Sequence, residues 1–193
     1  MKNMKIKDIR MKKIAVIDLE CTCDDKGSIE RKDMEIIEIG VAIADMQGNT
    51  YNEFNVFVRP VKNQILTDFC KELTSIKQED VDKGESLENA LILLNAFLAK
   101  ENVDLWGSWG YFDKNKIKKE SERLNLDLTQ IYFIEKLPFI NISDKYYKHQ
   151  GLSRKCGVRK ALAQKRMKFI GTPHRGIDDV RNTARLLPFI GGV

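Results

Sequence analysis

Asp18-Leu19-Glu20 closes the apolar run Ile14-Ala15-Val16-Ile17, and acids at the end of a buried strand are the first chemical signal in this chain. Side chains alternate faces along a strand, so Asp18 and Glu20 project together while Leu19 enters the opposite layer. Two carboxylates so placed repel one another unless a positive group sits between them, and oxygen donors suit a hard divalent cation. Later acids could complete such a site. Asp113 lies where a strand gives way to a helix, and reads either as a ligand or as the N-cap of that helix. The segment His174-Arg175-Gly176-Ile177-Asp178-Asp179 sets a histidine on a glycine-containing loop ahead of acids in the first turn of the last helix. Imidazole titrates near neutrality, which suits a base that takes a proton from water. Asp178 is the better cap and Asp179 the better ligand, and spacing alone leaves the two unseparated. His149 sits among Lys and Tyr and reads as a surface residue.

The elements that must position these groups follow in order. Glu35 to Asp45 alternates, with Ile37, Ile39, Val41 and Ile43 on one face, and ends at the turn signal Gln47-Gly48-Asn49. Tyr51 to Val58 alternates again and stops at Pro60, so the first three strands form an antiparallel meander. Leu66 to Gly84 reads as short helices. Ser86 caps a longer helix whose Leu87, Ala90, Leu91, Leu94 and Leu98 face the core. Val103 to Gly107 is a strand parallel to the first, because a helix intervenes. Lys114 to Leu124 is a helix with Asp113 at its beginning, Leu137 to Ile142 a fifth strand, and Val158 to Gln164 a helix. The last helix starts near Asp178 and runs through Val180, Ala184 and Leu187 to Pro188. The expectation is an α/β fold, a mixed sheet of three antiparallel strands and then parallel strands flanked by helices, in one domain over residues 1–193 with a basic segment at 1–11.

Composition narrows the class. Apolar content of 42% against 32% charged is that of a globular protein with a sizeable core. The longest apolar run, Ala90 to Ala99, is broken by Asn95 and falls short of the roughly 18 residues of a membrane span. The cations near the N-terminus resemble the start of a signal peptide, but the apolar stretch meets Asp18 too soon, and a cytoplasmic address is expected. Cys21, Cys23, Cys70 and Cys156 then read as free thiols, and no second close pair of Cys or His accompanies Cys21-Thr22-Cys23 to make a zinc site. The net charge of +5 is unevenly placed, for Lys145 to Lys168 holds nine cations and no acid. Such a block is either a contact for a polyanion or a solvated face.

These motifs together resemble the DEDDh family of 3′-to-5′ exonucleases: Asp18-Leu19-Glu20, a later Asp113, and His174 ahead of Asp179. Within that family the chain is similar to the exoribonucleases of the enhancer-of-RNA-interference type and their bacterial relatives. The similarity rests on Val16 to Cys23, Glu35-Ile36-Ile37-Glu38-Ile39-Gly40, Leu66 to Cys70 with Ile76 to Val81, and above all Pro173 to Arg185. It covers nearly the whole chain. One position departs: relatives often carry Ser-Trp-Gly-Asp-Tyr-Asp, whereas Ser108-Trp109-Gly110-Tyr111-Phe112-Asp113 lacks the first of those acids and keeps the one the family uses as a ligand.

The resemblance implies a ribonuclease H-like fold and a metal-dependent 3′-to-5′ exoribonuclease that releases nucleoside 5′-monophosphates. Asp18, Glu20, Asp113 and Asp179 would hold two Mg²⁺ or Mn²⁺ ions, and His174 would be the base. Leu19, Cys21 and Thr22 would face the 3′ end of the substrate. Trp109 either stacks on a base or packs in the core. The basic block then reads as a track for the phosphates of an RNA with a single-stranded 3′ end or overhang. Two alternatives stand beside this: a DNA-directed exonuclease of the same family, and a non-catalytic nucleic-acid-binding module.

Overall fold

The computed structural model describes residues 12–127, 133 and 136–192; the basic segment 1–11 lies outside the described residues. Five strands, β1 (Ile14–Cys21), β2 (Ile36–Ala44), β3 (Thr50–Phe57), β4 (Leu105–Ser108) and β5 (Phe139–Asn141), form one sheet in the order β3-β2-β1-β4-β5. β1 pairs antiparallel with β2, and β2 antiparallel with β3. β1 and β4 are parallel, as are β4 and β5. The meander followed by parallel strands is therefore present, with the strand that carries Asp18 and Glu20 in the middle. Asp45 closes the β2–β3 turn, its carboxylate accepting from the Gln47 and Asn49 amides at 2.9 and 3.0 Å, while Gly48 takes a φ of +82°.

Helices cover both faces. α1 (Asp68–Thr74) and α2 (Gln78–Asp82) lead into α3 (Leu87–Glu101); Ser86 Oγ accepts from the Asn89 amide at 3.1 Å to start it, and Asn102 in the left-handed region ends it. α3 lays its five expected core residues against Ala15, Ile17 and Leu19 of β1 and Ile39, Val41 and Ile43 of β2. Each leucine, isoleucine or valine among them contributes about 1.5–3 kcal/mol by leaving water. α4 (Phe112–Arg123) joins that layer through Ile117. The opposite face, with Ile14, Val16, Ala42 and Ala44, packs under α5 (Ile142–Gln150), α6 (Val158–Gln164) and α7 (Gly176–Ala184). By alternation Asp18 and Glu20 belong to this second face.

Three local expectations need correction. Ile37 does not share a layer with Ile39: the β1–β2 register shifts between Glu20 and Cys21, and Ile37 packs instead with Leu66, Cys70, Ile76 and Val81. One extra residue in a ladder reverses the faces beyond it. α7 begins at Gly176, ahead of Asp178, and ends at Ala184, with Pro188 inside a short 3-10 turn at Leu187–Phe189. Asp113 is not a cap, since Tyr111 is the N-cap of α4 and Asp113 already lies in its first turn.

Candidate metal centre

Asp18 and Glu20 leave one face of β1, and α7 brings Asp179 over them, so that one carboxylate oxygen from each lies within 4.8 Å of the others. Backbone contact sets this approach. A Cβ on Gly40 of β2 would lie 2.3 Å from the carbonyl carbon of Gly176, and a Cβ on Gly176 would meet Gly40 N at 3.2 Å and the Asp18 carbonyl at 3.3 Å. Glycine at both positions lets the helix start against the strand, which carries Asp179 onto the acid pair. Asp178 takes a different task. It accepts from the Thr172 amide at 2.9 Å and pairs with Arg181 at 2.8 Å, bracing the loop before α7, whose N-cap is Arg175.

Asp113 stands outside that three-oxygen group, yet it is tied to the same strand. Only 5% exposed, it accepts the Leu19 amide on Oδ1 at 3.2 Å, between the two acids of β1. His174 is exposed on the loop before α7 and has a φ of +61°. Its backbone amide and its ring both act to lower the pKa of Asp179.

Crowding of charge shapes the titration. Burial and then the charges of Asp113, Glu20, Asp179 and Glu38 raise the Asp18 carboxyl well above its ordinary value. Glu20 is pushed up to about 8 by burial and then by Asp179, Glu38 and Asp113. Burial also raises Asp113 and Asp179 to about 6, against the pull of nearby backbone amides. Acids that resist ionisation in one place are those a cation would discharge. Asp179 Oδ2 is buried without a hydrogen-bond partner among the described residues, as a ligand atom facing a cation would be. The oxygen-only donor set and this orphaned atom fit a hard divalent ion. No cysteine joins a cluster of three ligands among the described residues, and Cys21, Cys23, Cys70 and Cys156 are free thiols.

The residues expected to touch substrate fall differently. The Leu19 and Cys21 side chains are buried in the α3 layer. Thr22 is 1% exposed; its hydroxyl accepts from the Glu35 amide at 2.9 Å and from Asn63 Nδ2 at 3.3 Å. Cys21 enters the α3 layer by the same alternation that places Leu19 there, and the Thr22 hydroxyl is taken up by Glu35 and Asn63. Trp109, partly buried, donates its indole N–H to the Cys156 carbonyl at 2.9 Å and packs against Tyr146 and Tyr147. In the basic block, Lys148, Arg154, Arg159, Lys160, Arg166 and Lys168 are exposed and form no ion pair among the described residues, whereas Lys155 pairs with Asp144. Sequence reasoning missed Glu38. It is fully buried, stands opposite Glu20, and binds Arg175 and the Gly176 amide. The available signal was an acid inside an otherwise apolar strand.

Comparison with known proteins agrees with this geometry. The profile of the Exonuclease (RNase_T) family matches residues 15–187. Human ERI1 exoribonuclease 3 is 32% identical over 182 residues, covering 89% of this chain and 51% of the relative. Xenopus laevis ERI1 exoribonuclease 2 is 29% identical over 205 residues, covering 90% of this chain and 27% of the relative. The chain therefore spans about half or less of the length of these two curated relatives. A crystal structure of the nuclease domain of 3′hExo, a DEDDh family member, bound to rAMP, superposes with a TM-score of 0.81 at 27% identity, covering 93% of this chain and 92% of that one. A matched profile over most of the chain, a shared ribonuclease H-like sheet and an acid cluster on its central strand lead to one assignment: this chain belongs to the RNase_T exonuclease family.

Proposed function

We propose that this domain hydrolyses RNA from its 3′ end, releasing nucleoside 5′-monophosphates, with Mg²⁺ or Mn²⁺ held by Asp18, Glu20, Asp179 and Asp113. The observation that carries the reading is the convergence of Asp18, Glu20 and Asp179 within 4.8 Å, with a buried Asp179 oxygen that has no hydrogen-bond partner among the described residues. When bound, a pair of such ions would activate the attacking water and stabilise the leaving 3′-oxygen. The protein's own contribution is arrangement. Asp18 and Glu20 are held by the β1 ladder, Asp179 by the Gly40–Gly176 contact, and Asp113 by the Leu19 amide. His174, exposed on the loop that leads into the helix of Asp179, would accept the water's proton on a ring nitrogen and pass it to solvent. The six exposed cations of the block from Lys148 to Lys168 that form no ion pair among the described residues would track the phosphates of a single-stranded end, adding affinity without sequence preference. RNA rather than DNA is favoured by the relatives' names as exoribonucleases.

Matched RNA and DNA oligomers labelled at their 5′ ends, followed with Mn²⁺ or with EDTA, test the reading. The expected result is a ladder shortening from the 3′ end, faster on RNA, absent in EDTA, and absent for Asp18→Ala. His174→Ala should slow the reaction by about 10²–10⁴-fold, the usual contribution of a general base. Turnover that survives EDTA or Asp18→Ala would overturn the metal reading, and faster DNA loss would overturn the RNA preference.

A further inference from the structure

Glu38 is buried to 0% exposure in β2, and the β1–β2 register sets it directly opposite Glu20. Like charges opposed across a ladder destabilise it, and a buried carboxylate without a partner costs several kcal/mol, roughly. The compensation comes from the loop that carries His174. Arg175 donates from Nη2 to Oε1 at 3.1 Å and from Nε to Oε2 at 3.4 Å, and the Gly176 amide donates to Oε2 at 2.9 Å. The guanidinium also sits 5.4 Å from the centre of the Phe57 ring, so Arg175 is held between β2 and β3. His174 precedes this clamp directly and has a φ of +61°. A non-glycine residue in the left-handed region is strained and persists only where its surroundings hold it.

We propose that Glu38 is a positioning residue for His174: its bonds to Arg175 and Gly176 fix the backbone on the C-terminal side of the histidine, holding the imidazole beside Asp179. The idea rests on the reading of His174 as the base. It assigns the buried acid of the Glu35-to-Gly40 motif to the loop and not to the metal, since Glu38 has its charge matched by Arg175 while Glu20 has no such partner among the described residues. The clamp also requires arginine at position 175, because a lysine lacks the planar fork that meets both carboxylate oxygens.

The test is a double-mutant cycle on RNA turnover with Mn²⁺, using Glu38→Gln and His174→Ala singly and together, with kcat and KM separated. Glu38→Gln should lower kcat by about 10–10²-fold, the cost of misplacing a reacting group by roughly an ångström, and leave KM nearly unchanged. In the His174→Ala background the same change should alter kcat by less than about twofold, because the group it positions is gone. Mn²⁺ affinity by calorimetry should match wild type. Equal losses in both backgrounds, or weakened Mn²⁺ binding, would overturn the proposal and make Glu38 a support of the fold or of the ligands. His174→Ala with unchanged kcat would instead overturn the base reading itself. Should Glu38→Gln fail to fold, Arg175→Ala cuts the same clamp from the more exposed side and carries the same expectations.

Discussion

Glu20 and Glu38 stand opposite one another on neighbouring antiparallel strands, and among the described residues Arg175 pairs with Glu38 and not with Glu20. The unequal treatment of two adjacent acids separates the carboxylate free for a cation from the one that anchors a loop.

Removing a charge from the cluster should stabilise the metal-free protein while abolishing metal binding. Glu20, pushed up to about 8, resists ionisation because burial and its acidic neighbours oppose it. In EDTA, Glu20→Gln is expected to raise the melting temperature, by about 2–4 °C for each kcal/mol of repulsion relieved in a domain of this size. In Mn²⁺ the order should reverse, because only wild type gains from the ion. Differential scanning calorimetry under both conditions checks this; a lower melting temperature for the variant in EDTA would contradict it.

The same acids give stability a pH dependence of predictable sign. Their folded pKa values, about 8 for Glu20 and about 6 for Asp113 and Asp179, lie above the ordinary carboxylate range. The folded state therefore binds these protons more tightly than the unfolded one, and the stability they contribute is complete below the unfolded values near 4. It is lost as pH rises through about 6 and then 8. Denaturant titrations in EDTA should show stability falling across that window, and Mn²⁺ should flatten the slope. A metal-free protein that gains stability from pH 6 to 8 would refute this account.

Gly40→Ala should damage the site through the backbone. The added methyl would lie 2.3 Å from the carbonyl carbon of Gly176, and relief requires β2 or the start of α7 to move. Overpacking of this kind costs about 1–3 kcal/mol. Activity should fall by more than the folded fraction does, because Asp179 and His174 shift with the helix start; urea unfolding and turnover measured on one preparation compare the two.

Thr22→Val separates the two assignments of that residue. Loss of the hydroxyl leaves the buried Glu35 amide unpaired, at about 1–3 kcal/mol. Stability should drop by that amount while KM for RNA stays the same. A raised KM with unchanged stability would return Thr22 to the substrate.

Neutralising Arg154, Lys155, Arg159 and Lys160 tests the phosphate track. If each meets a phosphate of single-stranded RNA, the slope of log affinity against log salt should fall by about 0.7 for each cation removed. Lys155, paired with Asp144, should contribute least. An unchanged slope would assign the block to solubility alone.

The sequence by itself determined the class of sheet and most of the chemistry. The alternation at Asp18-Leu19-Glu20 sets two acids on one face whatever the rest of the chain does, and the helical spacing of Leu87, Ala90, Leu91, Leu94 and Leu98 fixes what covers the other. Spacing could not separate Asp178 from Asp179, since neighbouring residues on a helix differ by about 100° and which one faces the strand depends on where the helix starts. The contact between Gly40 and Gly176 decided that, across 136 residues of chain. The turn of Ile37 away from Ile39 and towards Leu66 and Cys70 was equally closed to a local reading, because a bulge is a property of two paired strands and not of one. So was Glu38, an acid whose meaning appears only once Arg175 and Gly176 fold against it. Periodicity is written into the chain residue by residue. Charge compensation, register and close backbone approach belong to pairs of distant segments, and the folded structure alone supplies those.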